Sequence, residues 1–274
     1  MTGDTIAARG TRAAGRGLVP GQLPRTLVIP AVVGAIALVL PLAALLLRVE
    51  WSTVVAEIGS AELLDPLGLS ALTGLIATAV CLVVGAPLAL VIARAPRAIA
   101  GTLRVLAVTA LILPPVVSGF GVRALLDPAA FPGQALGAWV ADLSPFVLVV
   151  TAQVAVSLPV LVLVLDQALR TAGRDTEFVA AGLGAGRWRV FWRVTLPAAA
   201  PGIWAAVLLC FARAIGEFGA TALAATEART AALSLFAAGV GSGQAFAAAL
   251  SLVLLVVALL VAVALRSWRA EASR

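Results

Sequence analysis

Residues 250–265 read Leu-Ser-Leu-Val-Leu-Leu-Val-Val-Ala-Leu-Leu-Val-Ala-Val-Ala-Leu, without a charge and without alternation. A run like this admits few folds. A barrel strand in an outer membrane would alternate apolar and polar residues over ten or so positions. In hydrocarbon, a non-alternating segment has to satisfy its own backbone N–H and C=O groups, which only a helix does. Other apolar runs of the ~20 residues needed to cross ~30 Å fall, with this one, at roughly 26–47, 69–93, 103–122, 145–169, 199–224 and 244–265. The chain as a whole is 62% hydrophobic and 12% charged, with a mean hydropathy of +1.11, outside the range of soluble domains. An all-α, polytopic membrane protein with six transmembrane helices is predicted.

Charge sets the orientation, because loops left in the cytoplasm retain an excess of arginine. The tail has Arg9, Arg12, Arg16 and Arg25 against Asp4, net +3. The next loop sets Arg48 against Glu50, Glu57, Glu62 and Asp65, net −3, and Arg94, Arg97 and Arg104 then give +3. Arg123 against Asp127 and Asp142 gives −1, and the segment 170–197 returns to +3. Glu227 and Arg229 cancel, and the C-terminus carries +2. This alternation predicts cytoplasmic termini, and it accounts for the net +6 as topology, with no call for a nucleic-acid partner. Residues 1–25 read as a disordered basic tail, 26–266 as the membrane domain and 267–274 as a short tail. No cleavable leader is expected, since the first apolar run is long and lacks a small-residue cleavage site.

The chain has no His, Lys or Tyr. That excludes a Ser/His protease, a histidine-ligated metal site, a retinal Schiff base and a lysine-bearing phosphate loop. If the chain takes part in active transport, energy has to come from another subunit. Asp166 and Glu217 leave an intramembrane aspartyl protease formally open, although Asp166 sits at a helix end. Cys81 and Cys210 fall inside spans, where they are expected to pack as small apolar groups.

Two segments interrupt this apolar pattern. The first runs Glu177-Phe-Val-Ala180-Ala181-Gly-Leu-Gly184, then Arg187-Trp188-Arg189-Val-Phe191-Trp192-Arg193-Val194-Thr-Leu196-Pro197. A short helix is predicted with Asp175 or Thr176 as N-cap and Glu177 favouring the positive end of the helix dipole. Gly184 and Gly186 allow a bend. Trp188 and Trp192 lie at i, i+4, as do Arg189 and Arg193, which suits a second amphipathic helix stopped by Pro197. Such a helix also suits a membrane surface, with arginine on lipid phosphates and tryptophan at the interface.

The second is Arg213-Ala-Ile-Gly216-Glu217-Phe218-Gly219-Ala220-Thr221. Charges at i, i+4 inside an apolar helix are costly unless they pair or face a protein or water-filled interior. The small Gly216 and Gly219 suit close helix packing. Upstream, Pro114 and Pro115 precede Ser118 and break the third span, freeing backbone groups for a pore or gate.

On these residues the chain resembles the permeases of ATP-binding-cassette importers. Gly184, Val194, Leu196 and Pro197 keep the spacing of the signature in their cytoplasmic coupling loop, and Ala180 and Ala181 match its small residues. Glu177 stands one position early, with Phe178 in the usual Glu place. The Gly-Glu-Phe-Gly-Ala-Thr string resembles the fifth helix of the molybdate and sulfate group. Stretches 85–94 and 152–159 are similar to its second and fourth helices. Two outer segments depart from the group: 230–236 lacks its proline, and 126–133 lacks its glycine-rich pattern.

The resemblance implies a type I importer fold in a bacterial plasma membrane. The 170–197 loop, with Glu177, Ala180, Ala181, Gly184, Arg187, Val194, Leu196 and Pro197, would dock on an ATPase dimer. ATP and Mg would be bound on that partner and no cofactor on this chain. An oxyanion-binding protein outside and a second permease copy complete the expected assembly. Pro114, Pro115, Ser118, Arg213, Gly216, Glu217, Gly219 and Thr221 would form the pathway or gate for molybdate or tungstate. A sulfate or thiosulfate permease acting as a heterodimer stays open, as does a scaffold or sensor subunit that moves nothing.

Overall fold

Proline and glycine decide where the apolar runs become separate helices. The computed structural model describes residues 25–126, 145–172, 174–225, 228–241 and 243–272. Residues 1–24 of the predicted tail 1–25, the outer segment 127–133 with Asp127, and Asp142, Glu227 and the last two residues lie outside them. The chain divides into two units, 1–48 and 49–274. In the first, a 3-10 turn leads into α1, Val28–Arg48. This helix is apolar on all faces, and none of its span is buried.

The second unit comprises α2 (Trp51–Glu57), α3 (Ala61–Arg94), α4 (Arg97–Ile112), α5 (Pro115–Leu125) and α6 (Pro145–Thr171). It continues with α7 (Arg174–Gly182), α8 (Arg187–Ile215), α9 (Gly219–Ala224), α10 (Ala231–Val240) and α11 (Gln244–Ala272). Among the described residues five helices are long and apolar enough to span a membrane, and a sixth results if α4 and α5 count together.

Three of the predicted spans change shape. The second starts at Ala61, because Ser60 caps it through Leu63 N–H at 3.2 Å and Glu62 favours the first turn. The third is two limbs bent by 106°. Pro114 and Pro115 supply no N–H for the ladder, and Pro115 restarts α5 at its first turn, where that loss costs nothing. The fifth ends at Ile215 and resumes as α9 after Gly216–Phe218. The stretch 231–236, read as loop, forms α10, whose Ala231 N–H donates to Ser70 Oγ on α3 at 2.8 Å.

The core lies where α3, α6 and α8 pack. Cys81 and Cys210 are both fully buried there beside Ala89, Leu161, Leu165 and Ala206, so they pack as small apolar groups as expected. Gly85 permits the close approach: a Cβ on it would meet Leu161 Cδ2 at 2.8 Å and Leu158 Cδ1 at 2.9 Å.

Candidate functional site

The short helix α7 carries Asp175 and Glu177 in its first turn, where negative charge is favoured. It starts at Arg174, so Asp175 and Thr176 lie within that turn and are not caps. Its end is a Schellman stop. Gly184 N–H donates to Ala181 O at 3.0 Å, and Ala185 N–H donates to Ala180 O at 3.1 Å. Gly184 has φ of 84°, a conformation that costs an L-residue about 1–2 kcal/mol. The predicted bend is therefore at Gly184, while Gly186 is extended and precedes α8.

Glu177 points inward. Its carboxylate accepts from Arg94 Nη2 at 2.5 Å and Arg94 Nη1 at 2.6 Å, a two-pronged pair, and from Thr195 Oγ1 at 2.5 Å. Glu177 and Thr195 are buried. One side chain thus fastens α7 to the end of α3 and the start of α8. Planar guanidinium and carboxylate give this link direction as well as charge. Arg94 and Thr195 were not singled out from sequence as its partners. The available signal was a carboxylate in an arginine-rich loop opposite an arginine that ends an apolar run.

Pro197 does not end the second short helix. Residues 191–195 form a π turn, with Leu196 N–H donating to Phe191 O, and the helix runs on into the span. A wider turn relieves the clash that a proline ring makes with the preceding turn, and it absorbs the missing N–H. Trp188, Phe191 and Trp192 form a cluster with ring centroids 5.5–5.9 Å apart. Beside them the loop exposes large apolar side chains, among them Phe178 at 74% and Leu183 at 84%. Ala181, Arg187 and Pro197 are exposed, and Ala180, Val194 and Leu196 are half-buried. An apolar surface of this kind suits a protein or a membrane contact.

At the far end of α8 the Arg213 side chain donates to the buried Glu217 carboxylate. The two are not on one continuous helix as expected, because Glu217 lies in the break. Its Oε1 accepts Ala220 N–H at 2.6 Å, supplying a carboxylate where α9 begins. Phe218 packs on Phe236 of α10 at 4.8 Å. Here α9 meets α5 almost backbone to backbone. A Cβ on Gly119 would meet Ala220 O at 2.5 Å, and one on Gly219 would meet Pro115 Cβ at 3.3 Å. Pro114 and Gly216 are exposed, and Ser118 is half-buried. Thr221 is fully buried and its hydroxyl has no partner. On α6, buried Gln153 and Ser157 likewise have no hydrogen-bond partner, and neither was chosen from sequence.

Asp166 is buried and accepts from Arg104 Nε at 2.9 Å and Nη2 at 3.2 Å. Asp166 and Glu217 are thus held by different arginines on different helices. Arg104→Ala is expected to lower stability by about 1–3 kcal/mol by stranding the carboxylate, the 32% exposure of the Arg104 side chain keeping the loss below that of a fully buried pair. Arg104→Met with Asp166→Leu should recover most of that loss in thermal unfolding of the purified protein.

The loop, the rod of α8 and the glycine-lined break make up the candidate site. A family described as binding-protein-dependent transport system inner membrane component matches residues 82–268. The chain belongs to this family. The match takes in most of the membrane bundle of this transport component, including the Glu177 link and the α5–α9 contact. The molybdenum transport system permease protein ModB of Mycobacterium tuberculosis is 41% identical over 247 residues, 88% of this chain and 93% of its own. A probable molybdenum ABC transporter permease of Haloferax volcanii is 35% identical over 216 residues, 78% of this chain and 79% of its own. A probable sulfate transport system permease of Chlorokybus atmophyticus is 40% identical over 79 residues, 29% of this chain and 28% of its own. The chain is an inner-membrane permease component, and ATP hydrolysis belongs to a different subunit.

Proposed function

We propose that this permease carries molybdate, with tungstate as its isostere, into the cytoplasm. The observation that carries the substrate is the similarity to molybdenum permeases over nearly the whole chain. The sulfate relative matches less than a third of it, which favours molybdate over the sulfate reading. An ATPase dimer binding ATP and Mg, an outer oxyanion-binding protein and a second permease copy would complete the transporter. Six crossings with both termini in the cytoplasm agree with the arginine distribution.

The mechanism follows from rigidity. A docked ATPase would grip the exposed apolar face of α7 and the start of α8. The Glu177 link passes a push on α7 to both α3 and α8. Helix α8 has 29 residues, a rod of roughly 43 Å at 1.5 Å per residue, and it ends at the Arg213–Glu217 break. ATP-driven closure would thereby shift α9 against α5 and switch access between the two sides. Ser118, and Thr221, Gln153 and Ser157 once the shift of α9 uncovers them, would offer hydroxyl and amide groups for weak hydrogen bonds to a passing dianion. No covalent step is needed.

The deciding experiment is ATP-dependent uptake of labelled molybdate and sulfate into vesicles containing the permease, its ATPase and its binding protein. Molybdate uptake, abolished by Gly184→Trp and reduced by Gly184→Ala, is the expected result. Sulfate uptake instead would assign the rival substrate, and loss of neither in the variants would remove the loop from coupling.

A further inference from the structure

At the end of the bundle that bears α7, a cavity of about 370 Å³ opens between the α3–α4 turn and the end of α6. That is within the ~300–1,000 Å³ usual for small-ligand sites. Its wall includes Arg97, Arg104 and Arg170, with Ile92, Ala93 and Ala100; among the described residues no carboxylate lines it, Asp166 standing behind Arg104. Arg104 gives Nε and Nη2 to Asp166, which leaves its Nη1 uncommitted. Among the described residues, Arg97 and Arg170 have no carboxylate partner. The 16-residue helix α4 starts at this cavity with neither a side-chain cap nor an acidic residue in its first turn, so its positive end is uncompensated there.

Retention of positive charge on one side of the membrane explains why arginines occur at this end. It does not explain why arginines from two helices and a helix N-terminus ring one hollow in which, among the described residues, Arg104 alone has a carboxylate partner. Like charges so placed repel unless something negative lies between them. Guanidinium forks suit tetrahedral oxyanions, which take parallel N–H···O bonds.

We infer that this cavity is a binding site for a phosphate-type oxyanion, separate from the transport pathway at the α5–α9 contact. Two sources share the chemistry: the headgroup of an anionic phospholipid and a free inorganic oxyanion. Arg97 and Arg170 contribute the recognising charge, and Arg104, held in place by Asp166, presents a fixed edge. The site is independent of which ion the permease transports.

The test uses the full chain in nanodiscs. Binding of labelled orthophosphate is measured in phosphatidylcholine discs, and retention of phosphatidylglycerol is measured by native mass spectrometry after reconstitution in mixed lipid. Wild type is compared with Arg97→Gln/Arg170→Gln, which leaves the Arg94–Glu177 and Arg104–Asp166 pairs intact. Saturable orthophosphate binding weakened by about tenfold or more in the variant identifies a free anion. Phosphatidylglycerol retention lost in the variant identifies a lipid headgroup. Equal behaviour of wild type and variant toward both probes overturns the inference. Should the glutamine pair fail to fold, competition on the unaltered protein decides. Displacement of either probe by sulfate beyond that by chloride at the same ionic strength supports a built oxyanion site, and equal displacement refutes it.

Discussion

Glu177→Gln is expected to reduce ATP-driven uptake by at least about tenfold while leaving the membrane bundle folded. The substitution keeps the shape of the side chain and removes the charge that binds Arg94 and receives Thr195. A charge-assisted link of this kind contributes roughly 1.5–3 kcal/mol, and the 39% exposure of the Arg94 side chain argues for the lower part of that range. The loss falls on the attachment of α7, so the loop 170–197 should become more sensitive to protease while the unfolding midpoint of the bundle moves little. Asp175→Asn, an exposed carboxylate in the same helical turn, is the matched control and should transport normally. Normal uptake by Glu177→Gln with unchanged proteolysis would rule out this link as the transmission from loop to span.

Gly119→Ala is expected to have the second largest effect, and Gly121→Ala almost none. The added methyl at 119 would lie 2.5 Å from Ala220 O and 2.7 Å from Ala220 Cα. Those are backbone atoms, which cannot rotate away, so α5 and α9 have to separate. Overpacking of this sort costs about 1–3 kcal/mol, and at this position it also displaces the turn that holds Glu217. At Gly121 nothing lies within 4 Å of the added atom, and alanine is the better helix former there by nearly ~1 kcal/mol. The measurement is uptake together with thermal unfolding for both variants. A Gly119→Ala protein with wild-type uptake would show that α5 and α9 do not need this approach.

Much of the architecture is readable in the chain because hydrocarbon imposes a rule on each segment separately. A run such as 250–265 has to be helical wherever it lies, and the structure has it within α11. The pivot at Gly184 is also local, being set by one residue that accepts a left-handed backbone. The double proline marks a break in the third span, but the 106° angle depends on what α5 packs against. Pro197 misleads for a related reason. A proline stops a regular α-helix, yet a π turn just before it lets the helix pass.

What the sequence by itself determined is the medium, the helical class, the approximate spans and the position of the basic aromatic loop, since each depends on composition or on neighbours a few residues apart. Tertiary structure alone decided that Glu177 faces inward to Arg94, 83 residues away, that Asp166 answers Arg104, and that Gly119 exists to admit Ala220. These are contacts between helices that are remote in sequence. In the bilayer every apolar face is equally acceptable to lipid, so hydrophobic patterning does not choose partners. Close packing of small residues and the pairing of buried charge make that choice, and both become visible only once the helices are side by side.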